Sequence, residues 1–226
     1  MKYVSVAIDG PSGAGKSTVA RAAAAQLGYV YVDTGAMYRT IGLAVCRRGI
    51  SCEDTEGIRS VLPDIRVGIT YENGAQHVLL NGEDVSSEIR TPEIAYYASR
   101  VSAVPEVREF LLNTQRDMAK NGNILMDGRD IGTVILPDAP VKIFLTASAE
   151  SRAERRYKEL AEKGQQVTME SVLHDINERD RQDMNRAIAP LRQAEDAVLL
   201  DTSALTLEES IASVLRIIRE KTEENK

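Results

Sequence analysis

Cysteine is scarce in this chain of 226 residues, which holds only Cys46 and Cys52. A chain of this length can form a hydrophobic core without the disulfide network on which small secreted proteins depend. A disulfide scaffold is therefore not expected, and two thiols fit a reducing compartment, so we predict a cytoplasmic protein. Histidine is equally scarce. His77 and His174 are far apart in the sequence and have no ligand-like companions, so we predict no metal site made only of side chains.

Long apolar runs and an excess of positive charge are also missing. No stretch of about eighteen apolar residues occurs, and no basic segment followed by a signal-type apolar run opens the sequence, so we expect neither a membrane span nor a targeting segment. The formal net charge of −6 argues against a general binder of nucleic acid or anionic membrane. Arginine nevertheless outnumbers lysine more than twofold, and arginine is suited to forked binding of phosphate.

The stretch "IDGPSGAGKST" (8–18) is the strongest motif in the sequence. Its Gly10, Gly15, Lys16 and Ser17 match the pattern G-x-x-x-x-G-K-[ST] of a phosphate-binding loop. An apolar run, "YVSVAID", precedes it, and the alanine-rich stretch "VARAAAAQLG" follows it. The motif therefore lies between a strand and a helix, as a phosphate-binding loop requires. We predict that it binds a nucleoside triphosphate through Gly10, Pro11, Ser12, Gly13, Ala14, Gly15, Lys16, Ser17 and Thr18.

The residue types of this loop suit an anionic ligand. Glycine permits backbone conformations in which successive N–H groups point at one anion, and the positive end of the following helix dipole adds to their effect. Lys16 is expected to reach the outer phosphates, and the Ser17 hydroxyl is the predicted ligand of Mg²⁺. The motif predicts a nucleoside triphosphate, but it does not specify the reaction.

Elsewhere, short apolar runs alternate with helical patterns. The runs lie at 29–34, 123–127, 141–147 and 197–203, and one long charged helix is expected between the last two. This alternation predicts an α/β fold, a parallel sheet with helices on both faces. Ligands of such sheets gather at the carboxyl ends of the strands, where we expect Asp9, Asp33 and Asp127 to converge.

The segment from about Pro63 to Val85 breaks this alternation. It contains two strand-like runs around Asn73-Gly74, and no helix is predicted between them. The segment is therefore predicted to be a small antiparallel insertion. Whether it closes on a substrate or only decorates the fold stays open at this point.

Arginines occur in four groups near predicted loops and helix starts: at Arg39, at Arg129, in the helix that begins near Ser148, and at 179–186. Any one of them could be an ordinary solvated charge. Together with the phosphate loop, they suit phosphoryl transfer between two nucleotides, in which two anions that repel each other must be held. This chemistry does not require a strong general base. None is assigned, although Asp9 or Asp33 could orient the acceptor or a magnesium-bound water.

The sequence resembles the bacterial-type cytidylate kinases, a family of nucleoside monophosphate kinases, nearly from end to end. The motifs that carry the resemblance are "IDGPSGAGKST", "DTGAMYR", "NGEDVSSEIRT", "DGRDIGTVILPDAPVKIFL" and "RDRQDMNRAIAPL". The resemblance implies one kinase domain whose P-loop core comprises residues 1–35, 121–147 and 167–226. It also implies a monophosphate-binding arm at 36–120, with the antiparallel insertion at about 63–97, and a short helical lid at 148–166.

The resemblance further implies transfer of the terminal phosphoryl group of ATP to CMP or dCMP, with Mg²⁺ and with a lid that excludes water. Position by position, the residues that contact cytosine would be Thr34, Ser99, Arg108 and Asp130. Those around the acceptor phosphate would be Tyr38, Arg39, Arg129 and Arg186, with Arg179 and Asp183 near the sugar and phosphate. The implied catalytic residues are Lys16, Arg129, Arg155 and Arg186. Thr34 stands where some relatives carry serine, which also brings a hydroxyl. A monomer that binds no nucleic acid is expected.

The base assignment has a chemical reason. Cytosine presents an amine donor where uracil presents a carbonyl acceptor, so a carboxylate such as Asp130 would favour cytosine.

Two other classes share a phosphate loop. A GTPase switch would read guanine through N-K-x-D, which the sequence lacks, and it would show D-x-x-G where this chain has "MDGRD". A non-catalytic, nucleotide-dependent adaptor would not need Lys16, Ser17 and the arginine groups. The kinase is therefore the preferred prediction.

Overall fold

The computed structural model describes residues 3–72 and 75–223, and these form two compact units. The first unit contains the described residues up to Tyr31 and those from Gly122 onward, and the second contains Val32–Asn121. The described strands are β1 (Ser5–Asp9), β2 (Val30–Asp33), β3 (Val67–Glu72), β4 (Ala75–Leu80), β5 (Glu83–Asp84), β6 (Ile124–Gly128), β7 (Val141–Thr146) and β8 (Val198–Asp201). The described α-helices are α1 (Lys16–Leu27), α2 (Thr34–Arg47), α3 (Thr55–Val61), α4 (Pro92–Val101), α5 (Pro105–Met118), α6 (Ala149–Glu162), α7 (Met169–Asn185) and α8 (Leu207–Glu223).

A five-stranded sheet has the order β2-β6-β1-β7-β8. The pairs β1–β6, β1–β7 and β7–β8 are parallel, and the register places Asp9 opposite Gly128 and Ile8 opposite Asp127. Strands β1 and β6 are almost wholly buried because both of their faces are covered. The predicted fold class, a mainly parallel sheet with helices and a small antiparallel sheet, is confirmed.

The core of the first unit packs α1 and α8 against the strands. Val19 and Ala23 of α1, and Val214 and Ile218 of α8, belong to one buried cluster with Val6. Helix α1 ends at Gly28, whose φ of 66° is left-handed and lets its N–H bond back to the last turn. Helix α8 begins with a capping box: Thr206 Oγ1 accepts from Glu209 N, and Glu209 Oε2 accepts from Thr206 N.

The prediction of one long charged helix after β7 is wrong, because α6 and α7 are two separate helices. Gly164, with a left-handed φ of 73°, follows the end of α6. Thr168 then caps α7 in a reciprocal box with Ser171. The uncharged residues 164–168 separate two charged, amphipathic stretches, whose similar patterns do not indicate that they belong to different helices. A small apolar core of Ala153, Leu160, Val172 and Ile176 holds the two helices together.

Strand β8 lies at the sheet edge and is only half covered, with Leu199 56 % exposed. The apolar residues of β8 are thus not all part of the hydrophobic core. Among the described residues, no helix is both long enough and apolar enough to cross a bilayer.

The second unit has its own core. Helices α2, α4 and α5 contribute Ile41, Ala98 and Leu111 to a single buried cluster. At Gly42 of α2, an added Cβ would lie 3.0 Å from Ala98 N and 3.1 Å from Tyr97 Cβ, so glycine permits α2 and α4 to approach closely.

The antiparallel sheet of the second unit has the order β3-β4-β5. Val67 pairs with Leu80, and Glu72 pairs with Ala75. The predicted hairpin is present, with β5 as a short third strand that the sequence did not indicate. The Asn73-Gly74 turn itself lies outside the described residues.

Candidate active site

The phosphate-binding loop connects β1 to α1, as the motif predicted. Gly10, Gly13 and Gly15 have φ values of 151°, 76° and 83°, a region that disfavours other residues. At Gly10 an added Cβ would lie only 1.9 Å from the carbonyl oxygen of Leu145, so no side chain fits there. Since α1 begins immediately after Gly15, its first N–H groups have no partner within the helix and suit an anion.

Lys16 is buried, and its Nζ donates to the carbonyl oxygen of Pro11 at 2.7 Å. Burial, reinforced by the positive charge of Arg129, lowers the pKa of Lys16 to about 7. The ammonium is therefore folded back onto its own loop, and phosphate oxygens would offer it a stronger, charged partner.

Ser17, at the start of α1, lies beside a carboxylate. Ser17 Oγ donates to Asp127 Oδ2 at 2.8 Å, and Tyr31 OH donates to Asp127 Oδ1 at 2.9 Å. A hydroxyl next to a carboxylate is the kind of oxygen set that Mg²⁺ uses when phosphates and waters complete its coordination. These residues therefore fit magnesium. Within the described residues, no cluster of three or more His, Cys, Asp or Glu could hold a metal by itself.

Asp9 ends β1 and is committed to the backbone. Its Oδ1 accepts from Ile131 N at 2.8 Å, and its Oδ2 accepts from Gly132 N at 2.7 Å. Burial raises the pKa of Asp9 to about 6 in spite of these two bonds. The side chain thus holds the π-helical turn at Ile131–Ile135, which follows Arg129 and Asp130.

Arg129, Asp130, Asp183 and Arg186 form one cluster of charges in the first unit. Arg129 Nε donates to Asp183 Oδ2 at 2.9 Å. Arg186 places Nη2 3.6 Å from Asp130 Oδ1 and Nη1 3.9 Å from Asp183 Oδ1. Burial alone would raise the pKa of Asp183, but the charge and hydrogen bond of Arg129, together with the charges of Arg179 and Arg186, hold that pKa below its ordinary value. The cluster keeps two guanidinium groups charged and oriented in a largely buried place.

The remaining predicted arginines of the first unit lie on α6 and α7. Arg155 Nη2 donates to the carbonyl oxygen of Thr202 at 2.6 Å, so this side chain is directed at the segment after β8. Arg179 lies one turn before Asp183 on α7, and its charge helps to lower the Asp183 pKa.

In the second unit, Asp33 organises the start of α2. Its Oδ1 caps the helix by accepting from Ala36 N at 2.9 Å, and its Oδ2 accepts from Arg39 Nη2 at 2.7 Å. The backbone N–H of Asp33 donates to Gln76 Oε1 of β4 at 2.9 Å, so the antiparallel sheet is tied to the same point.

Tyr38 and Arg108 are in contact in this unit, with the Arg108 guanidinium carbon 5.4 Å from the Tyr38 ring centroid. Arg108 Nη1 also donates to the carbonyl oxygen of Ser102 at 3.3 Å. Thr34 is buried at the first position of α2, and the carbonyl oxygen of Ser99 accepts from Ser102 Oγ at 2.9 Å.

The predicted substrate residues are thus divided between the units. Those of the first unit are Arg129, Asp130, Arg179, Asp183 and Arg186, and those of the second are Thr34, Tyr38, Arg39, Ser99 and Arg108. Sequence reasoning named Asp127 only as a carboxylate at the strand ends and did not identify it as the partner of Ser17. Asp127, at the end of the apolar run 123–127, had a recognisable position, whereas the ion pair between Arg152 and Asp180 had no sequence signal.

Comparison with known proteins decides the family. The family model described as cytidylate kinase matches residues 6–220. The chain belongs to the cytidylate kinase family. It is 52 % identical to the cytidylate kinase of Caldicellulosiruptor saccharolyticus, over 96 % of both chains. It is 49 % identical to that of Carboxydothermus hydrogenoformans, over 96 % of this chain and 98 % of the other. The resemblance read from the motifs is confirmed, and this member of the cytidylate kinase family is an enzyme of the phosphotransferase class.

A solved structure of an uncharacterized protein from Eubacterium ventriosum has a TM-score of 0.52 to this cytidylate kinase family member. The two are 12 % identical over 97 % of this chain and 99 % of that one. At this identity the likeness shows the fold alone.

Proposed function

We propose that this protein transfers the terminal phosphoryl group of ATP to CMP or dCMP, giving ADP and CDP or dCDP. The observation that carries the proposal is the match to the cytidylate kinase family over residues 6–220, with the P-loop lysine and serine in place. Full-length relatives at about half identity bear the same name.

On the donor side, the loop from Gly10 to Thr18 binds the ATP phosphates through backbone N–H groups and Lys16 Nζ. Ser17 and Asp127 would hold Mg²⁺, which would neutralise phosphate charge when bound. The Lys16 ammonium leaves the Pro11 carbonyl for the phosphates. This exchange replaces a neutral acceptor by a charged one, which strengthens the hydrogen bond.

On the acceptor side, the residues that we propose for binding the monophosphate are Arg129, Arg186, Tyr38 and Arg39. Asp183 orients Arg129 through the 2.9 Å bond to its Nε and leaves other donors of the guanidinium for phosphate. Arg179 and Asp183 lie near the sugar. These arginines spread positive charge where negative charge develops during transfer.

Cytosine is recognised by Thr34, Ser99, Arg108 and Asp130. The Asp130 carboxylate accepts a hydrogen bond from the exocyclic amine of cytosine, whereas it repels the carbonyl oxygen that uracil has at the same position. Each such paired contact discriminates by about 1–3 kcal/mol, so CMP and dCMP are preferred over UMP by degree rather than absolutely.

Residues 148–166, which contain α6, serve as the lid. Arg155 exchanges the Thr202 carbonyl for ATP phosphate when the lid closes and excludes water. The arm at 36–120 and the core make up the rest of one kinase domain. The protein acts in the cytoplasm as a monomer, without nucleic acid or membrane.

The test is ADP production from Mg²⁺ and ATP with CMP, dCMP, UMP, AMP, GMP or no acceptor under identical conditions. We expect turnover to be led by CMP and dCMP, with UMP slower. Equal rates with and without acceptor would instead identify an ATPase, and turnover led by AMP or GMP would contradict the base assignment. Lys16→Ala controls for a contaminating kinase, because it removes the loop ammonium.

A further inference from the structure

Arg152, in the first turn of α6, is a buried arginine that the proposed mechanism does not use. Its side chain is 5 % exposed, which is unusual for a residue type found mostly on surfaces. A buried guanidinium is tolerated only when its donors are satisfied and its charge is paired. Its partners therefore indicate what it does.

Four hydrogen bonds hold this side chain. Arg152 Nε donates to the carbonyl oxygen of Ala147 at 2.9 Å, and Nη1 donates to that of Ser12 at 3.0 Å. Nη1 and Nη2 also donate to the two carboxylate oxygens of Asp180 on α7, at 3.1 and 2.6 Å. One guanidinium thus joins the end of β7, the phosphate loop and α7.

The bond to Ser12 has a geometric consequence for the loop. The Ser12 carbonyl and the Gly13 N–H belong to the same peptide unit, and in a trans peptide these two groups point in opposite directions. When Arg152 binds the carbonyl on one side, the Gly13 N–H is directed to the other, away from α6. Gly13 itself has a left-handed φ of 76°, so this peptide is held in a conformation that other residues disfavour.

Packing points the same way. A Cβ added at Gly13 would lie 3.5 Å from Arg152 Cβ and 3.9 Å from Ile176 Cδ1 of α7. Ile176 belongs to the small apolar core that joins α6 and α7. The tip of the phosphate loop therefore rests on the pair of helices that Arg152 and Asp180 connect.

We propose that Arg152 is a positioning residue for the phosphates of ATP: by holding the Ser12 carbonyl against α6 and α7, it fixes the Gly13 N–H in the direction of the phosphates. Asp180 is its partner and keeps the guanidinium in place. This inference rests on the proposed function only in taking ATP as the nucleotide that the loop binds.

The main experiment measures binding without turnover. The dissociation constant of a fluorescent ATP analogue, with Mg²⁺ and without acceptor, is compared for wild type, Arg152→Met and Arg152→Lys, together with the melting temperature of each. Loss of a hydrogen bond to a charged group leads us to expect a dissociation constant raised about tenfold in Arg152→Met. The KM for ATP should rise in parallel in Arg152→Met. The KM for CMP should stay within about twofold of the wild-type value, because the lost contact supports the binding of ATP and not that of CMP.

Two further variants separate positioning from stability. Arg152→Lys keeps the charge beside Asp180 but lacks the fork that reaches Asp180 and Ser12 together. It should melt near wild type yet still bind the analogue several-fold more weakly. Arg181→Met is the matched control, because Arg181 is the neighbour of Asp180 on α7 but is 67 % exposed and pairs with Glu178 on the surface of the same helix. Its binding should equal that of wild type.

Melting points lowered in both Arg152 variants with unchanged analogue binding would overturn the inference and leave Arg152 a structural residue. If Arg152→Met does not fold, Arg152→Lys and Asp180→Asn decide by the same comparison of binding with melting. A wild-type protein that binds the analogue but phosphorylates neither CMP nor dCMP would refute the proposed function and leave this inference standing.

Discussion

Three largely buried arginines of the first unit differ from two more exposed arginines of the second in the kind of partner that they face. In the first unit, the side chains of Arg129, Arg152 and Arg186 are 21 %, 5 % and 8 % exposed, and each faces a carboxylate that is itself largely buried. In the second unit, Arg47 and Arg100 are 36 % and 35 % exposed, and their partners are surface glutamates.

The contrast separates charges that build a site from charges that cover a surface. Exposed pairs contribute little because water competes with them and side-chain entropy opposes them. Buried guanidinium groups are costly to desolvate, so they persist where they are fully paired and held in fixed positions. The first unit accepts this cost around its phosphate loop, and preorganised charge is what phosphoryl transfer requires.

The largest expected effect is at Lys16, a buried ammonium whose Nζ donates to the carbonyl oxygen of Pro11. Lys16→Met removes the ammonium that we propose to meet the transferred phosphoryl group, and we expect kcat to fall on the order of a thousandfold. The same variant should unfold at a higher temperature than wild type at pH 7, since a buried ammonium with a lowered pKa costs stability. Steady-state kinetics and calorimetric melting measure the two effects. A variant that is both active and less stable than wild type would show that Lys16 is not a charge held in the site for phosphoryl transfer.

Asp183 tests the buried side of the comparison. Asp183→Asn leaves the guanidinium groups of Arg129 and Arg186 without their shared carboxylate, and breaking a buried pair costs about 3–5 kcal/mol of unfolding free energy. Since the pKa of Asp183 lies below its ordinary value, its contribution is present above about pH 4 and is lost as the pH falls below that.

Urea denaturation of Asp183→Asn should be compared with that of Glu83→Gln, which removes half of the surface partnership of Arg47. An exposed pair of this kind is worth at most about 1 kcal/mol. Equal losses in the two variants would contradict the comparison between the units.

The pKa of Lys16 predicts a pH dependence of nucleotide binding. Above the folded-state value of about 7 the free site loses its proton, and phosphate binding must recover it. The dissociation constant for the ATP analogue should therefore rise with pH, towards about tenfold per unit well above that pKa. Folding stability should change in the opposite sense: because the folded pKa is depressed from 10.5 to about 7, the unfolded chain binds more protons between these values, and stability rises with pH.

Titrations from about pH 6 to about pH 9 at constant free Mg²⁺ test this expectation, because they run from about one unit below the Lys16 pKa of about 7 to about two units above it. Lys16→Arg is the control, since a guanidinium stays charged throughout. If the dissociation constant changes with pH in the same way in wild type and in Lys16→Arg, the pH dependence arises from a group other than Lys16.

The smallest expected effect is at Asp33, the most site-like carboxylate of the second unit. Asp33→Ala removes both the cap of α2 and the partner of Arg39, and loss of an N-cap costs about 1 kcal/mol. Asp33→Ser keeps a capping oxygen but cannot hold Arg39. We expect the serine variant to recover stability and to retain a several-fold higher KM for CMP. Recovery of both properties would show that the Arg39 contact has no part in acceptor binding.

Local patterns were sufficient for most of the architecture. The apolar runs before Asp9, Asp33 and Asp127 form neighbouring strands of one sheet. These strands could be predicted from the sequence because buried parallel strands have a characteristic apolar composition. Gly28 and the pair Thr206 and Glu209 marked helix ends, because their requirements are met within one turn. The interruption at 163–168 was not predicted, since both sides of it are amphipathic and charged.

Residue types and spacings in the sequence indicated which residues belong to the site. They did not indicate which groups those residues contact. The sequence suggested Asp9 or Asp33 as a group that orients the acceptor or a magnesium-bound water. In the structure both carboxylates accept backbone N–H groups, at Ile131 and Gly132 for Asp9 and at Ala36 for Asp33. These bonds of Asp9 link residues more than a hundred positions apart, which no local pattern records.

The amino-acid sequence by itself determined the strand–loop–helix phosphate cradle, the alternation that builds the sheet, and the family to which the chain belongs. Each of these follows from residue types and spacings within a few turns of chain. Only the tertiary structure decided which arginine faces which carboxylate: Arg152 supports the loop through Ser12 and Asp180, while Arg155 faces Thr202. The physical reason is that charge pairing depends on distance and burial, which are set by packing among distant segments.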